Sequence, residues 1–286
     1  MSAKKPFFGP GGNSEAFYNA GKKSTADAPA WLKEVGLDAY EYEAGKGIMA
    51  SDASLKKIGE EAKRFDIKMS FHAPYFISLS SVEAEKRMNS VGYIQKSVKA
   101  AELLGAETIV VHCGSASKIS REEALALAAD TLLCTLDAVG DTKVKIGVET
   151  MGKQNQLGTL DEVLSLCKLD SRLVPVVDFG HMNARECGGV FLTVDDYMRV
   201  FDTIASTLGS EVAENLHCHF TKIEWTGGGE KRHLTFEDEV FGPSPELLAE
   251  AIYKLGVYPT IICESAGTQS DDALYLKKQY LNFGNN

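Results

Sequence analysis

Short β-prone runs alternate along the chain with longer segments of helical periodicity. Residues 83–106 show the helical spacing clearly, because Val91, Ile94 and Val98 recur at steps of three and four. The same spacing predicts helices elsewhere. The predicted helical segments are residues 83–106, 121–139, 244–256 and 270–281.

Eight short runs between these segments are rich in Val, Ile, Phe or Tyr and are bounded by Gly, Pro or polar residues, as strands are. Several of them, such as TIVVH and PTIICES, are continuously apolar, which is typical of parallel strands covered on both faces. The predicted strands are residues 6–8, 38–43, 68–72, 108–112, 145–149, 173–178, 216–220 and 260–265.

Eight β/α units with no linker between them predict an α/β fold, a (β/α)₈ TIM barrel that forms a single domain over residues 1–286. A doubly wound open sheet is the alternative. That fold would need a G-x-G-x-x-G fingerprint after its first strand, and the chain has GPGGN there.

The composition argues against some classes of function but does not identify one. A formal net charge of −10 argues against a protein that binds nucleic acid through a broad basic surface, although bound metal ions could supply local positive charge. The six cysteines form no CxxC pair, and we find neither a signal peptide nor an apolar run long enough for a membrane span. We therefore expect a cytoplasmic protein with no membrane partner; the sequence carries no signal for oligomeric state.

Potential metal ligands concentrate where the predicted strands end. In a barrel of this kind the active site lies at the carboxyl ends of the strands, so these side chains would face one axis. All six histidines of the chain belong to this set. The candidates are His72, His112, Glu149, Asp178, His181, His217, His219, His233 and Glu264.

A lone histidine at a strand end is more often structural than a ligand, but the joint pattern reverses that expectation. Buried carboxylates need counter-charge, and Lys222 is the one lysine near them in sequence. Divalent cations would supply the charge, and the His/carboxylate set suits Zn²⁺, with Mn²⁺ or Fe²⁺ as alternatives.

Nine donors are too many for one ion, so we predict two or three ions, with Glu149 or Asp178 bridging two of them. Paired ions of this kind promote phosphoryl displacement by water.

Seven motifs occur in a recognisable order: HAPY, VVHCGS, GVETMG, VVDFGHM, LHCHFTK, RH and IICES. This order resembles the endonuclease IV family of apurinic/apyrimidinic (AP) endonucleases, AP endonuclease family 2, a branch of the xylose-isomerase-like TIM barrels. The resemblance extends from about residue 68 to residue 264. It implies a deoxyribonuclease that hydrolyses the backbone of double-stranded DNA 5′ to an abasic site.

The resemblance also implies roles for individual residues. His72 and His112 would hold one metal, and Glu149 would bridge it to a second. Asp178, His217 and Glu264 would complete the second site, and His181 and His233 would hold a third metal. Glu149 and Glu264 would be catalytic, with Glu264 orienting the attacking water. Tyr75, Phe76 and Lys222 are the candidate substrate contacts, since the first two fall where the family inserts side chains into DNA.

The chain departs from the family at the third metal. The family motif there is Asp-Arg-His, whereas this chain has Lys231-Arg232-His233, so a carboxylate is missing. Glu230 or His219 is the candidate replacement. The arginine that the family pushes into DNA also has no counterpart, and Lys46 is the one cation nearby.

Two other functions stay open. A sugar isomerase or epimerase of the same superfamily would use one metal on Glu149, Asp178, His217 and Glu264, with the two glutamates as an acid/base pair and a small sugar as substrate. A metal-binding or protein-interaction barrel without catalysis is the third hypothesis.

Overall fold

Eight parallel strands close into a barrel in the computed structural model, which describes residues 4–284. The ten strands in chain order are β1 (Phe7–Pro10), β2 (Ala39–Glu43), β3 (Lys68–His72), β4 (Thr108–His112), β5 (Lys145–Glu149), β6 (Leu173–Asp178), β7 (His217–Phe220), β8 (Ile223–Thr226), β9 (Gly229–His233) and β10 (Thr260–Cys263). Around the barrel the order is β1-β10-β7-β6-β5-β4-β3-β2, and every pair is parallel. β8 and β9 form a separate antiparallel hairpin.

Helices follow the strands and cover the outside of the barrel. They are α1 (Glu15–Asn19), α2 (Ala28–Val35), α3 (Asp52–Phe65), α4 (Ala84–Leu104), α5 (Arg121–Val139), α6 (Leu160–Cys167), α7 (Phe179–Arg185), α8 (Val194–Leu208), α9 (Ser210–Glu214), α10 (Pro245–Leu255) and α11 (Gln269–Gly284). None of these helices within residues 4–284 is long and apolar enough to cross a bilayer.

The predicted single-domain TIM barrel is confirmed. Four strands, β3 to β6, have the bounds that the sequence predicts, and the other four strands of the barrel differ by one or two residues at one or both ends. α5 also has its predicted bounds, and a capping box between Ser120 and Glu123 fixes its first turn.

The hairpin of β8 and β9 was not predicted, because the sequence predicts neither a strand nor a helix between residues 220 and 244. Its second strand, GEKRH, has three charged residues in a row and no apolar alternation that would indicate a strand. Gly227 and Gly228 form the turn between the two strands.

Strand alternation determines which side chains reach the barrel interior. On β5, Glu149 points to the axis, so Ile146 and Val148 point outward into the fully buried layer between strands and helices. The same alternation turns Glu41 and Glu43 of β2 inward together. Carboxylates from several strands therefore meet at the carboxyl end of the barrel.

The barrel closes between β1 and β2 through backbone hydrogen bonds. The amide of Asp38 donates to the carbonyl oxygen of Phe8, and the amide of Gly12 donates to that of Glu41. Gly9 lies at this seam, where a Cβ atom would stand 1.8 Å from the carbonyl oxygen of Ala39. A side chain at position 9 would force β1 and β2 apart.

Gly9→Ala should therefore lower the free energy of unfolding by about 1–3 kcal/mol or more, the usual cost of overpacking. Thermal or urea denaturation measures the change. The matched control is Gly92→Ala in α4, where a Cβ meets nothing within 4 Å and should stabilise the helix slightly. An unchanged midpoint for Gly9→Ala would contradict this account of the seam.

Candidate metal centre

A cavity of about 800 Å³ opens at the carboxyl ends of the strands. Six of the nine predicted metal ligands line it, together with Glu43, Lys46, Tyr75, Lys153 and Glu230. These six ligands are His72, His112, Glu149, His181, His233 and Glu264. The barrel thus brings together side chains from four strands, from α7 and from the loop after β10.

Glu149, at the end of β5, is the centre of this arrangement and is fully buried. Its Oε2 lies 3.2 Å from Nε2 of His112 and 3.6 Å from Nε2 of His72. Its Oε1 lies 3.0 Å from Nδ1 of His219 on β7. One carboxylate oxygen therefore faces each of two histidine groups, which is the geometry of a bridging ligand.

Six overlapping sets of described side chains have donor atoms close enough together to hold an ion, and three of these sets share no residue except Glu149. Within each group, the donor atoms lie within 4.8 Å of one another. The first group is His72, His112 and Glu149; the second is Glu149, Asp178, His219 and Glu264; the third is His181, Glu230 and His233.

Backbone carbonyls orient three of the histidines. Nδ1 of His72 lies 2.8 Å from the carbonyl oxygen of Ala73, and Nδ1 of His181 lies 2.9 Å from that of Thr150. Nδ1 of His233 lies 3.2 Å from the carbonyl oxygen of Glu264. A carbonyl oxygen only accepts, so each Nδ1 donates and each Nε2 is left to the cavity. Metal-binding histidines are commonly fixed in this way.

The donor set fits divalent cations. Glu149 Oε2 and Asp178 Oδ2 are buried and have no hydrogen-bond partner among the described residues. Ligands at about 2.0–2.2 Å from a tetrahedral ion would lie about 3.3–3.6 Å apart, close to the distances from Glu149 Oε2 to the two histidines. A bound ion would satisfy both orphaned oxygens.

Burial and neighbouring charges shift the pKa values of these groups. Burial opposes protonation of His72, but the carboxylates of Glu43 and Glu149 outweigh it and raise its pKa to about 10. Burial raises the pKa of Glu264 to about 8, against the influence of His219. Burial also disfavours the charged form of Glu149, yet its histidine neighbours, His219 first, hold that pKa well below its usual range. Binding a metal would therefore displace protons from the cavity.

The third group contains Glu230 because β9 has a bulge. Ile223 pairs with His233 and Trp225 pairs with Glu230, so Lys231 is the extra residue on β9. Ile223 and Trp225 lie two residues apart and share a face of the hairpin. Their partners His233 and Glu230 therefore share a face as well, although they lie three residues apart. Oε2 of Glu230 lies 3.6 Å from Nε2 of His181, and Oε1 lies 3.8 Å from Nε2 of His233. Glu230 thus stands where the missing carboxylate is needed.

On β7, His219 rather than His217 reaches the centre. His217 and His219 both point inward, but His217 lies one layer deeper, where its Nε2 is 2.9 Å from Oε2 of Glu41. The expectation that His217 joins Asp178 and Glu264 therefore does not match the geometry, since His219 occupies that place.

Glu41 contacts both of these histidines and is fully buried. Its Oε1 lies 2.8 Å from Nε2 of His219, although this contact lacks the alignment of a hydrogen bond. Burial disfavours protonation of His219, but Glu264, Glu41 and Glu149 together raise its pKa well above the usual range. Nδ1 of His219 faces the second group and Nε2 faces Glu41, which is the carboxylate–histidine–metal pattern.

The three candidate substrate contacts lie in different places. Tyr75 lines the cavity, is 54% exposed, and stacks on His112 with ring centroids 5.4 Å apart. Phe76 is also half exposed, but it packs edge-on against Tyr93 of α4. Lys222 does not line the cavity, because its ammonium donates to the backbone carbonyls of Phe236 and Asp238.

A family model described as the xylose isomerase-like TIM barrel matches residues 29–278. The chain belongs to this family.

Among curated relatives, an uncharacterized protein of Methanocaldococcus jannaschii, MJ0133, is 32% identical over 248 residues, which are 86% of this chain and 88% of that protein. A probable endonuclease 4 of Acholeplasma laidlawii is 30% identical over 166 residues, 57% of this chain. That match spans only 55% of the endonuclease's length.

Solved structures of two different activities share the fold. Endonuclease IV from Thermus thermophilus superposes with a TM-score of 0.70 at 20% identity, covering 98% of this chain and 99% of that chain. A D-tagatose 3-epimerase-like protein gives 0.71 at 21% identity, covering 98% of both chains. At these identities the likeness shows the xylose isomerase-like fold and does not separate the two chemistries.

Two glutamates in this xylose isomerase-like barrel were not among the predicted site residues. Glu41 and Glu43 lie on β2, in the run AYEYE; the predicted strand 38–43 includes both residues, but no role in the site was assigned to them. The available signal was their spacing, because carboxylates two apart on a strand must share a face. An inward face with two carboxylates needs counter-charge from the rest of the barrel.

Replacing Glu41 by Gln should weaken metal binding by about 10–100-fold, the usual effect of removing a partner that orients a ligand. Competition with a chromophoric chelator measures the affinity. The matched control is Glu85→Gln, an exposed residue in the first turn of α4, which should leave the affinity unchanged. Equal affinities for the two variants would show that Glu41 does not position His219.

Proposed function

We propose that this chain is a metal-dependent phosphodiesterase of the endonuclease IV type that hydrolyses double-stranded DNA 5′ to abasic sites. The observation that supports this most is the third group, His181, Glu230 and His233, next to the two groups that share Glu149. A barrel that needs one metal has no use for three adjoining groups. Three cations in one cavity suit a reaction in which charge builds up on phosphate oxygens.

The donor set favours Zn²⁺, two or three ions per chain, with Mn²⁺ or Fe²⁺ as further possibilities. Bound cations would activate water and stabilise the phosphate charge. Glu149 would hold the first two groups together through its separate oxygens. Glu264, beside His219 in the second group, would orient the attacking water. These are the roles expected from the resemblance, with His219 replacing His217.

The rim of the cavity supplies cations for a polyanionic substrate. Lys46 and Lys153 line the cavity, and neither ammonium forms an ion pair with any residue between 4 and 284. They would contact DNA phosphates locally, in spite of the net charge of −10. Tyr75 would lie against the abasic sugar and Phe76 against the neighbouring DNA. Lys222 would act indirectly, by holding the loop at residues 236–238.

A metal-dependent sugar epimerase is the second candidate. The observation in its favour is the second group, since Glu149, Asp178, His219 and Glu264 alone could hold one ion. The two glutamates of that group would then serve as acid and base for proton transfer at carbon. The histidines of the first and third groups have no role in that reaction.

Cleavage of an abasic duplex by the metal-loaded protein tests the proposal directly. Glu264→Gln should lower the cleavage rate by about 10²–10⁴-fold, as loss of a positioned proton acceptor does, without changing the melting temperature. Glu85→Gln on the outer surface should keep the wild-type rate. Full activity of Glu264→Gln on the abasic duplex would contradict the assigned role. No cleavage by the wild type, together with epimerisation of a ketohexose, would favour the second candidate.

The number of metals per chain separates the two candidates before any substrate is chosen. Elemental analysis of the purified protein should give two or three ions per chain for the phosphodiesterase and one for the epimerase. Glu230→Gln should remove one ion, because it takes away the carboxylate of the third group. Lys231→Gln is the matched control, since Lys231 pairs with Glu224 outside the cavity. Loss of an ion in Lys231→Gln alone would contradict the account of the bulge.

A further inference from the structure

The cavity extends past the three metal-binding groups toward β1, β2 and the start of α11. Gly11, Glu43 and Gln269 line this end. Glu43 and Gln269 belong to none of the three groups described above. Their side chains therefore form a part of the cavity that the proposed metal chemistry does not use.

Glu43 presents one free oxygen here. Its Oε2 accepts a hydrogen bond from the hydroxyl of Tyr75 at 3.4 Å. Its Oε1 is buried and has no hydrogen-bond partner within residues 4–284. An ionised carboxylate accepts hydrogen bonds at both oxygens, so Oε1 of the ionised Glu43 can receive one from a ligand.

Gln269 presents a second free oxygen. Its Nε2 donates to the carbonyl oxygen of Gly11 at 3.3 Å, which fixes the orientation of the amide. Its Oε1 consequently points the other way, and it too is buried without a hydrogen-bond partner in the described part of the chain. Two orphaned acceptors thus adjoin Gly11.

Because Gly11 has no side chain, the space in front of Oε1 of Glu43 stays open to the cavity. A Cβ atom at position 11 would lie 3.0 Å from Oε1 of Glu43 and 3.5 Å from Cγ of Glu264. An alanine there would narrow the space in front of Glu43 without removing either acceptor. Gly11→Ala therefore tests the space at this end of the cavity, whereas substitutions of Glu43 and Gln269 test the two acceptors.

A buried acceptor without a partner is unfavourable, and two in one corner call for a ligand that donates hydrogen bonds. Phosphate oxygens only accept, so a phosphate does not fit here. A hydroxyl group fits, because it donates one hydrogen bond and is small. The lining therefore selects for hydroxyl groups next to the metal groups.

We propose that Glu43 and Gln269 form a subsite that accepts a hydrogen bond from a sugar hydroxyl of the substrate. The identity of the sugar in this proposal rests on the proposed function. In abasic DNA the donor would be the C1′ hydroxyl that stands in place of the base. In a free sugar it would be a hydroxyl of the carbon chain.

Two abasic duplexes that differ by that hydroxyl test the subsite. One carries the natural abasic sugar, and the other carries the tetrahydrofuran analogue, which lacks the C1′ hydroxyl. The wild type should cleave the natural site with a kcat/KM about 10–100-fold higher, the range for a hydrogen bond to a charged group. Glu43→Ala, Gln269→Met and Gly11→Ala should each bring this ratio toward one, with metal content unchanged.

The outcomes separate the subsite from the proposed function. Cleavage of both duplexes with the same ratio in wild type and variants overturns the subsite and leaves the phosphodiesterase intact. Cleavage of neither duplex overturns the phosphodiesterase, and the subsite is then tested on ketohexose epimerisation, where Glu43→Ala should raise KM at least tenfold. An unchanged KM, or activity on neither substrate, overturns the subsite as well.

Discussion

The structure depends on one electrostatic constraint, the buried carboxylate of Glu149. Its two oxygens face His72 and His112 on one side and His219 on the other, at 3.0–3.6 Å. A carboxylate this deep is stable only when it is compensated, and the parallel strands bring the compensating imidazoles to the same height. The fold class and the chemistry are therefore linked, because only strands that end together can surround one residue in this way.

A second layer of contacts determines how the imidazoles are used. Backbone carbonyls accept hydrogen bonds from the Nδ1 atoms of His72, His181 and His233. For His219, the carboxylate of Glu41 on β2 contacts Nε2 instead. The chain itself thus decides which nitrogen of each ring faces the cavity. The centre is preorganised by atoms that never touch a substrate.

The barrel and most of its donors could be predicted because their signals are local. Apolar runs and strand-end polar residues report directly on strands covered by helices, and β3 to β6 were predicted to the residue. The depth of a side chain inside the barrel, by contrast, cannot be predicted from the local sequence. His217 and His219 share a face and lie about 7 Å apart along β7, and only the stagger of the neighbouring strands determines which one reaches Glu149. Glu41 and Glu43 were overlooked for a related reason, since their partners are distant in sequence.

The bulge at Lys231 shows how a binding position can be kept while the sequence around it changes. One extra residue in β9 shifts the alternation, so Glu230 rather than residue 231 shares a face with His233. A ligand can thus move one place along the chain without moving in space. Alignments that compare motifs letter by letter would score such a chain as having lost the site, whereas a comparison of donor positions in three dimensions would count it as retained.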